Sequence, residues 1–385
     1  MSTSRAFRAG RSLAAPRPEL LASITDANVL ATMRAFAEPV SRAEIAGATG
    51  LSKPAVSAAV SRLSARGVLC EVGIREGRRG GVATLFRIDP DHGRSLAIVI
   101  QNDAVTVQSR DLDAIARSEH RCMVEADSEP ARIADQTNAL ISQVEREHPA
   151  PVLAVAVSIA DPVETRTGDP VRLERSVFPG ALIAPRQDLD IPDTAEVVID
   201  NDVNWAALGE LREGELRGCP NFLYVYAGAG LGAGLVMDGR LFRGSRGLAG
   251  EIGYLRADNG RDITQLLAEL GLGTTQRYGL EPARYGSLSA DTEARVVDAL
   301  SVAIANAVIV INPEAVAFAG PLSRVPGLIE RLGAGIRRLS IDPPRIVVST
   351  ATPLQGAAME AHRVALDAIG LRANTPGPAP QEVPQ

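Results

Sequence analysis

Short apolar runs alternate with helical patterns from about residue 95 towards the end of this chain, and few architectures suit that order. The runs have the length and the β-branched content of strands, and the stretches between them are long enough for helices. Strands that alternate with helices predict an α/β domain with a largely parallel sheet. The six runs are residues 96–100, 152–159, 196–200, 222–230, 315–320 and 345–349.

The first 90 or so residues follow another pattern, in which helices precede strands. Residues 26–37 predict a helix, and its apolar face carries Val29, Leu30, Met33 and Phe36. A second helix begins after Ser41, because Glu44 three residues later completes a capping box. Gly50 ends this second helix, since glycine readily adopts the left-handed conformation found at helix C-termini.

A third helix is predicted at about residues 53–66, with Ser52 as its cap. Residues 68–74 and 82–88 then alternate like the two strands of a hairpin. A helix, a short turn, a second helix and a hairpin make up the winged helix-turn-helix arrangement. We therefore predict a DNA-binding domain of this kind over residues 21–90.

The third helix has a polar outward face, and the predicted hairpin has a basic turn. Small hydroxylated side chains with an occasional cation let a helix enter the major groove, and arginines in a turn can hold phosphates or enter the minor groove. Residues 1–95 contain 14 Arg and Lys against 8 Asp and Glu, whereas the whole chain has a net charge of −6. The alternative is a small helical bundle used for protein contacts. The candidate DNA-binding residues are Ser52, Lys53, Ser57, Ser61, Arg62, Arg75, Arg78 and Arg79.

Composition points to a cytoplasmic protein without disulfides. No apolar run approaches the ~20 residues of a membrane-spanning helix, and the N-terminus lacks the apolar stretch of a signal peptide. The three cysteines lie far apart and form no C-x-x-C pair, which favours free thiols in a reducing compartment. Residues 1–20 predict a flexible basic arm, and the proline-rich residues 373–385 predict a disordered tail.

Four stretches carry longer motifs: SRAEIAGATGLSKPAVSAAVSRL (41–63), VVIDNDVNWAALGE (197–210), LYVYAGAGLGAGLVMDGRLFRGSRGLAGEIGY (223–254) and INPEAVAFAGPLSR (311–324). Together they resemble the ROK family, which contains bacterial sugar kinases and sugar-responsive repressors. The first stretch is similar to the helix-turn-helix of the repressor branch, and the likeness runs from about residue 26 to 370. The resemblance implies that residues 93–372 form a sugar-kinase-like domain of two actin-like lobes with a sugar cleft between them.

Polar residues of two of these stretches suit a sugar ligand. Asn201 and Asp202 follow a strand at the edge where α/β proteins bind ligands, and an amide beside a carboxylate can pair with sugar hydroxyls. The alternative is an Asn-Asp turn that caps the next helix. Glu251 lies among glycines that allow a ligand to approach the backbone closely, and its alternative is a solvated loop acid. The resemblance makes Asp202 the family's catalytic base and favours the sugar site.

The chain departs from the family's kinases at both phosphate loops. The kinases hold ATP phosphates with D-x-G-G-T-K, where this chain has VIQNDA over residues 99–104. Val99 replaces the aspartate, side chains replace both glycines, and Asp103 places negative charge where phosphate would sit. Ala229 replaces the threonine of the second loop. We therefore predict no kinase activity and no cofactor, with Asp202 a vestigial base.

The family's zinc site is also altered. The usual histidine is replaced by Tyr254, and residues 255–275 contain neither cysteine nor histidine. Zinc needs about four N, S or O ligands, so we predict no metal here. The Tyr254 hydroxyl remains able to pair with a sugar.

The sequence thus predicts a transcription regulator, a repressor by resemblance, controlled by a sugar, sugar-derivative or sugar-phosphate effector. Its effector site would consist of Asn201, Asp202, Glu251 and Tyr254. A homodimer, or a tetramer, is expected because paired half-sites add the affinity that one recognition helix lacks. The alternatives are an ATP-dependent sugar kinase that carries a DNA-binding head, and a regulator whose pocket no longer binds sugar.

Overall fold

The chain divides between His92 and Gly93 into two units, and the residues from Leu366 onwards group with the first. The computed structural model describes residues 18–76, 82–125, 128–171, 173, 183–257, 260–274 and 279–371. We call residues 18–92 with 366–371 the head unit and residues 93–365 the main unit. The division falls between the two domains predicted from the sequence, except that 366–371 group with the head.

Three helices and a small antiparallel sheet form the head unit, with the strand order β1-β3-β2. The elements are α1 (Pro18–Arg34), β1 (Val40–Ser41), α2 (Arg42–Thr49), α3 (Lys53–Ala65), β2 (Leu69–Glu76) and β3 (Val82–Ile88). Helix α1 thus includes three residues that the sequence assigned to a flexible arm. The rest of that arm and the predicted tail, residues 373–385, lie outside the described residues.

Local signals account for the limits of α2 and α3. The capping box of Ser41 and Glu44 is present in both directions, and the Glu44 carboxylate accepts the Ser41 backbone N–H at 2.8 Å. Gly50 ends α2 with φ of 70°, and the Ser52 hydroxyl accepts the Ala55 N–H at 3.3 Å. Phe36 was wrongly placed on the buried face of the first helix. Because α1 already ends at Arg34, the Phe36 side chain leaves that face and is 40% exposed.

Two five-stranded sheets dominate the main unit, and they share one topology. The first has the order β6-β5-β4-β7-β8 and the second the order β11-β10-β9-β14-β15. In each, two antiparallel pairings join the first three strands, and two parallel pairings add the last two. The first sheet consists of β4 (Arg94–Ile100), β5 (Ala104–Arg110), β6 (Ala116–Met123), β7 (Val152–Ile159) and β8 (Glu196–Asn201). The second consists of β9 (Phe222–Ala227), β10 (Leu231–Met237), β11 (Arg240–Phe242), β14 (Ala315–Ala319) and β15 (Arg345–Val348).

Helices and a short two-stranded ribbon complete the main unit. The helices are α4 (Pro130–Glu147), α5 (Pro185–Asp188), α6 (Asp202–Glu213), α7 (Ile263–Leu267), α8 (Ala290–Ile311), α9 (Leu328–Leu339) and α10 (Pro353–Ala368), the last of which runs into the head unit. The ribbon pairs β12 (Gly273–Thr274) with β13 (Gly279–Leu280). This α/β architecture with duplicated sheets agrees with the predicted fold class.

One apolar core links the two sheets through α6 and α10. It joins Ala97 and Ala156 of the first sheet, Trp205 of α6 and Ala357 of α10 to strands of the second sheet. The helices cross closely, because a Cβ on Gly356 would collide with the Trp205 carbonyl oxygen. Small residues therefore bring the end of β8 and the start of α6 up against the second sheet, which positions the residues described next.

Helix α8 is the one helix of the described residues that is long and apolar enough to cross a membrane. One face of α8 belongs to the core that packs beside the second sheet, where Val296, Leu300 and Ile304 are at most 1% exposed. Val302, Ile309 and Val310 are exposed on the rest of the helix. A buried core helix accounts for this composition.

Candidate functional site

The carboxyl ends of β7 and β8 bring two carboxylates to one edge of the first sheet. These strands are parallel neighbours, with Ile159 opposite Asn201. Asp161 follows β7 and Asp202 follows β8, so both side chains reach the same cavity. Ligands of α/β sheets bind at this edge. The sequence analysis missed Asp161, although its position directly after a buried strand could have revealed it.

A buried acid beneath the edge fixes the start of α6. The Asp200 carboxylate is 3% exposed and accepts the Asn201 backbone N–H and the Asn204 amide, both at 2.8 Å. The Arg243 guanidinium donates to its other oxygen at 2.6 Å. The charge of Asp200 is thus balanced, and the network holds the next two side chains at the cavity.

The Asn201 side chain performs the capping role that the sequence left open as an alternative. Its Oδ1 accepts the Val203 N–H at 2.8 Å, and its Nδ2 donates to the Ala160 carbonyl at 3.0 Å. Asn201 still lines the cavity, but these bonds tie β8 to the loop after β7. Its main contribution is therefore to position its neighbour Asp202.

Glu251 and Tyr254 approach from a glycine-bearing loop after β11. Gly250 adopts φ of 97°, and a Cβ there would collide with the Ala233 carbonyl. The Gly250 carbonyl in turn accepts the Ala233 N–H at 2.8 Å, which fastens the loop to β10. Glu251 directly precedes a short 3₁₀ turn, Ile252–Tyr254. The side chains of Glu251 and Tyr254 both line the cavity.

Burial changes the acidity of the two carboxyls at the cavity. Burial, with the nearby charges of Asp161 and Glu251, raises the pKa of Asp202 to about 7. The pKa of Glu251 also rises to about 7, again first because of burial and then because of Asp161. Both carboxyl groups therefore change between their protonated and ionised forms near neutral pH, whereas carboxyl groups in water are already ionised there.

The structure thus brings all four predicted effector residues to one cavity. A second residue that the sequence analysis missed, Tyr226 at the end of β9, also lines it. The cavity is lined by Ala160, Asp161, Pro162, Leu173, Asn201, Asp202, Val203, Asn204, Tyr226, Gly230, Leu231, Gly232, Ala233, Gly247, Ala249, Glu251, Gly253, Tyr254 and Thr264. Carboxylates, amides and hydroxyls around a partly apolar wall suit a small polyhydroxylated molecule.

A neighbouring cavity shares Asp202, Val203 and Tyr226 with the first. Gln101 of the altered first phosphate loop lines this second cavity, together with Arg324 after β14. The loop itself is a tight hairpin, in which the Gln101 N–H donates to the Ala104 carbonyl at 2.9 Å. Side chains thus occupy the positions where the kinase motif has glycines.

The described residues of the loop after Tyr254 include neither cysteine nor histidine. No group of three or more His, Cys, Asp or Glu side chains suited to a metal occurs among the residues that the structure describes. Hydrogen bonds hold this loop instead: the Ala257 N–H donates to the Arg261 carbonyl at 2.9 Å, and Asp262 forms a capping box with Gln265. An Arg261–Glu269 ion pair adds to them.

In the head unit, α3 exposes the predicted recognition face. Lys53, Ser57 and Ser61 follow one another at intervals of four residues and are all exposed. They therefore share one side of the helix, next to the buried stripe of Val56, Val60 and Leu63. Ser52 is exposed as well, although its hydroxyl caps the helix.

Two of the predicted DNA-contacting arginines are held by acids of the head itself. The Arg62 guanidinium binds Asp26 of α1 through two bonds of 3.3 and 2.6 Å, and Arg75 binds the Glu44 carboxylate at 2.6 Å. These pairs join α3 to α1 and β2 to α2, which gives both side chains a structural contact within the head. Arg78 and Arg79 lie outside the described residues.

Residues 102–269 match the model of the ROK family. The xylose repressor of Caldicellulosiruptor bescii is 26% identical over 221 residues, which cover 56% of this chain and 54% of that protein. The xylose repressor of Bacillus subtilis is 24% identical over 57% of both chains. The chain spans about half the length of the curated relatives that it matches.

A solved structure described as a ROK family transcriptional regulator, a homologue of the E. coli MLC protein, superposes with a TM-score of 0.62. The identity is 17%, and the alignment covers 91% of this chain and 98% of that chain. This likeness establishes a common fold.

Proposed function

The chain carries a ROK family domain, and from this premise we propose that it is a DNA-binding transcription repressor controlled by a sugar or sugar derivative. The main unit would bind the effector, the head unit would bind operator DNA as part of a homodimer, and the protein would act in the cytoplasm without phosphorylating the sugar.

One combination of features carries the proposal. A helix-turn-helix unit with an exposed face of Lys53, Ser57 and Ser61 occurs in the same chain as a unit whose cavity holds Asp202 and Glu251. The exposed helix face suits contacts with DNA, and the carboxyl groups of the cavity suit hydrogen bonds with a hydroxylated ligand. The xylose repressors among the relatives support this combination.

A sugar kinase is the competing function, because Asp202 keeps the position and the raised pKa of about 7 that suit a general base. A base alone transfers no phosphoryl group. The first phosphate loop carries Gln101 and Asp103 in place of a glycine and an uncharged residue, which weakens any binding of triphosphate. We therefore favour the regulator.

DNA binding is tested with the full chain. The protein is used to select duplexes from a randomised pool, and the affinity for the selected site is measured by mobility shift at several salt concentrations. Ser57→Glu and Ser61→Glu each place a carboxylate against the phosphates, so we expect the affinity to fall about tenfold or more. Ser287→Glu, an exposed serine of the main unit, is the matched control. Equal affinity in all four proteins would contradict the proposed interface.

Effector control is tested in the same assay. Monosaccharides are screened by thermal shift, and those that bind are added to the protein–DNA complex. A ligand changes DNA affinity only if it binds one conformational state better than the other. We expect at least one sugar to alter the mobility shift, and Glu251→Ala to abolish that effect while leaving DNA binding intact.

A further inference from the structure

The second cavity adjoins the proposed effector cavity, and both lie within the main unit. Asp202, Val203 and Tyr226 line both of them, so the two cavities meet between the end of β9 and the start of α6. The effector cavity has a volume of about 90 Å³, whereas the second cavity has about 370 Å³. Sites for small molecules span roughly 300–1,000 Å³, so most of the room for a ligand lies on the far side of Tyr226.

Hydrogen bonds between separate elements fix the walls of the second cavity. The Tyr224 hydroxyl of β9 donates to the carbonyl of Ala351, which follows β15, at 3.1 Å. The Ser349 hydroxyl donates to the buried Glu210 carboxylate of α6. These bonds hold β9, α6 and the segment after β15 together, so the cavity is built before a ligand arrives, as binding sites for small molecules usually are.

Hydrogen-bonding groups and apolar surface both face the second cavity. The Gln101 amide and the hydroxyls of Ser323 and Thr350 lie in its wall, and the rings of Pro321 and Pro353 lie there too. Amides and hydroxyls pair with ligand hydroxyls, which both donate and accept hydrogen bonds. Apolar surface packs against the C–H faces of a sugar ring. The wall therefore suits an uncharged sugar ring.

The charges at the second cavity favour an uncharged ligand over a phosphate. Among the residues that the structure describes, two charged side chains line it: Arg324 and the shared Asp202. Asp103 is also near, because its charge acts on Tyr226 with a sign opposite to that of Arg324. An anionic group would thus meet two acids together with one cation. An uncharged ring loses nothing to either acid and can still accept a hydrogen bond from Arg324.

Tyr226 stands where the two cavities meet. Its side chain is half-buried, and burial raises its pKa to about 12. The hydroxyl therefore keeps its proton at neutral pH, and it can donate to an oxygen that borders both cavities.

We propose that the effector is a disaccharide or another glycoside, with one sugar ring in the effector cavity and the second ring in the second cavity. A sugar oxygen beside Asp202 and Tyr226 borders both cavities, so a substituent on that oxygen passes from one into the other. The second ring adds contacts without a second loss of translational and rotational freedom, because both rings belong to one molecule. The inference rests on the proposed function, since it names the class of sugar that would control the regulator.

The test is calorimetry on the full chain with matched sugars. Glucose, galactose, mannose and xylose are each compared with their methyl glycosides and with disaccharides that contain them in several linkages. We expect at least one disaccharide to bind about tenfold or more tightly than either of its component sugars. The methyl glycoside has the same linkage without the second ring, and its gain should be about threefold or less.

Variants assign the gain to the second cavity. Thr350→Trp and Gln101→Trp each place an indole there, and neither residue lines the effector cavity. Each should reduce the ratio of disaccharide to monosaccharide affinity to about threefold or less. Thr194→Trp, at an exposed threonine of the main unit, is the control and should leave the ratio unchanged. Glu251→Ala should weaken both ligands, because Glu251 lines the effector cavity.

Sugar 6-phosphates and ADP or ATP with magnesium are titrated in the same series. A gain in affinity for a sugar phosphate that Arg324→Gln removes would assign the second cavity to phosphate and overturn the inference. Binding of a nucleotide that Thr350→Trp blocks would overturn it in the same way.

The remaining outcomes separate this inference from the proposed function. If monosaccharides bind and no disaccharide binds more tightly, the inference is wrong and the regulator stands. A disaccharide gain that survives both tryptophan variants places the second ring elsewhere and also overturns the inference. If no sugar of either size binds, both the effector site and this inference are wrong.

Discussion

The ring of Tyr226 lies over Gly228, so closely that a Cβ on this glycine would be 2.5 Å from both Cε1 and the phenolic oxygen. Gly228 begins the glycine turn between β9 and β10, where its N–H donates to the Gly230 carbonyl at 2.9 Å. In the kinases that the chain resembles, this is the second phosphate loop. The half-buried ring of Tyr226 therefore covers backbone that a phosphate would have to approach.

The covered glycine turn predicts that the protein does not phosphorylate sugars. With ATP, magnesium and a sugar panel, we expect no ADP above background. Tyr226→Ala should not restore activity, because Gln101 and Asp103 still occupy the first loop. Coupled measurement of ADP release checks both proteins. Turnover of roughly 1 s⁻¹ that disappears in Asp202→Ala would establish a kinase instead.

The pairing of Arg62 with Asp26 predicts a stabilising role for Arg62. Two hydrogen bonds join α3 to α1, and the side chains are 41% and 12% exposed. Solvent weakens such a pair, so Arg62→Ala should destabilise the head by about 1 kcal/mol. Faster hydrogen exchange in α1 and α3 would report the loss. Arg66→Ala, an exposed arginine at the end of α3, is the control.

Measurements of DNA affinity distinguish a stabilising role of Arg62 from direct contact of Arg62 with a base or a phosphate. If Arg62 acts through the head alone, Arg62→Ala and Asp26→Ala should weaken DNA binding to a similar extent. If Arg62→Ala weakens DNA binding while hydrogen exchange in the head stays unchanged, Arg62 contacts DNA directly.

The hydrogen-bonded loop after Tyr254 predicts stability without zinc. Elemental analysis of protein purified without added metal should find well below one zinc per chain, and a chelator should not change the melting temperature. Asp262→Ala removes the cap of α7, and we expect it to cost about 1 kcal/mol. Stoichiometric zinc that a chelator removes with loss of stability would mean that other ligands bind it.

Local rules let the sequence predict much of the fold. Helix caps and glycines at helix ends predicted α2 and α3, and apolar runs predicted β4, β7 and β8. These rules work because each involves residues that are neighbours along the chain. The strands β5 and β6 were missed. The edge strand β6 has polar residues such as Glu119 and Arg121 along its length, so it lacks a buried run.

The candidate site was only partly predictable, because its chemistry depends on contacts between distant residues. Motifs identified Asp202 and Glu251, whereas Asp161 belongs to no motif and reaches the site because β7 pairs with β8. Likewise, nothing near Arg62 in sequence indicates that Asp26, 36 positions away, binds its guanidinium. Two of the arginines assigned to the DNA surface thus have acidic partners within the head, and the cavity has a third carboxyl beside the two that the motifs identified.

The buried carboxyls of Asp202 and Glu251 predict a contribution to stability that decreases as the pH rises. Burial raises the pKa of Asp202 from 3.8 to about 7 and that of Glu251 from 4.5 to about 7. Between the unfolded and folded values the native protein holds more protons, so its stability falls with increasing pH and the loss is complete above about 7. Asp202→Asn and Glu251→Gln avoid the buried charge. Each should therefore stabilise the protein at pH 8 by roughly 1–3 kcal/mol, with a gain that shrinks towards pH 5.

Calorimetric melting of the full chain at several pH values measures this gain. Asp298→Asn removes an exposed acid of the same unit and should leave the melting temperature nearly unchanged at every pH. Asp202 and Glu251 would then lower the free energy of unfolding at neutral pH, as is expected of residues retained for ligand binding. If both cavity variants lower the melting temperature equally at pH 5 and pH 8, their carboxyls contribute through packing or hydrogen bonds, and buried charge does not govern the site.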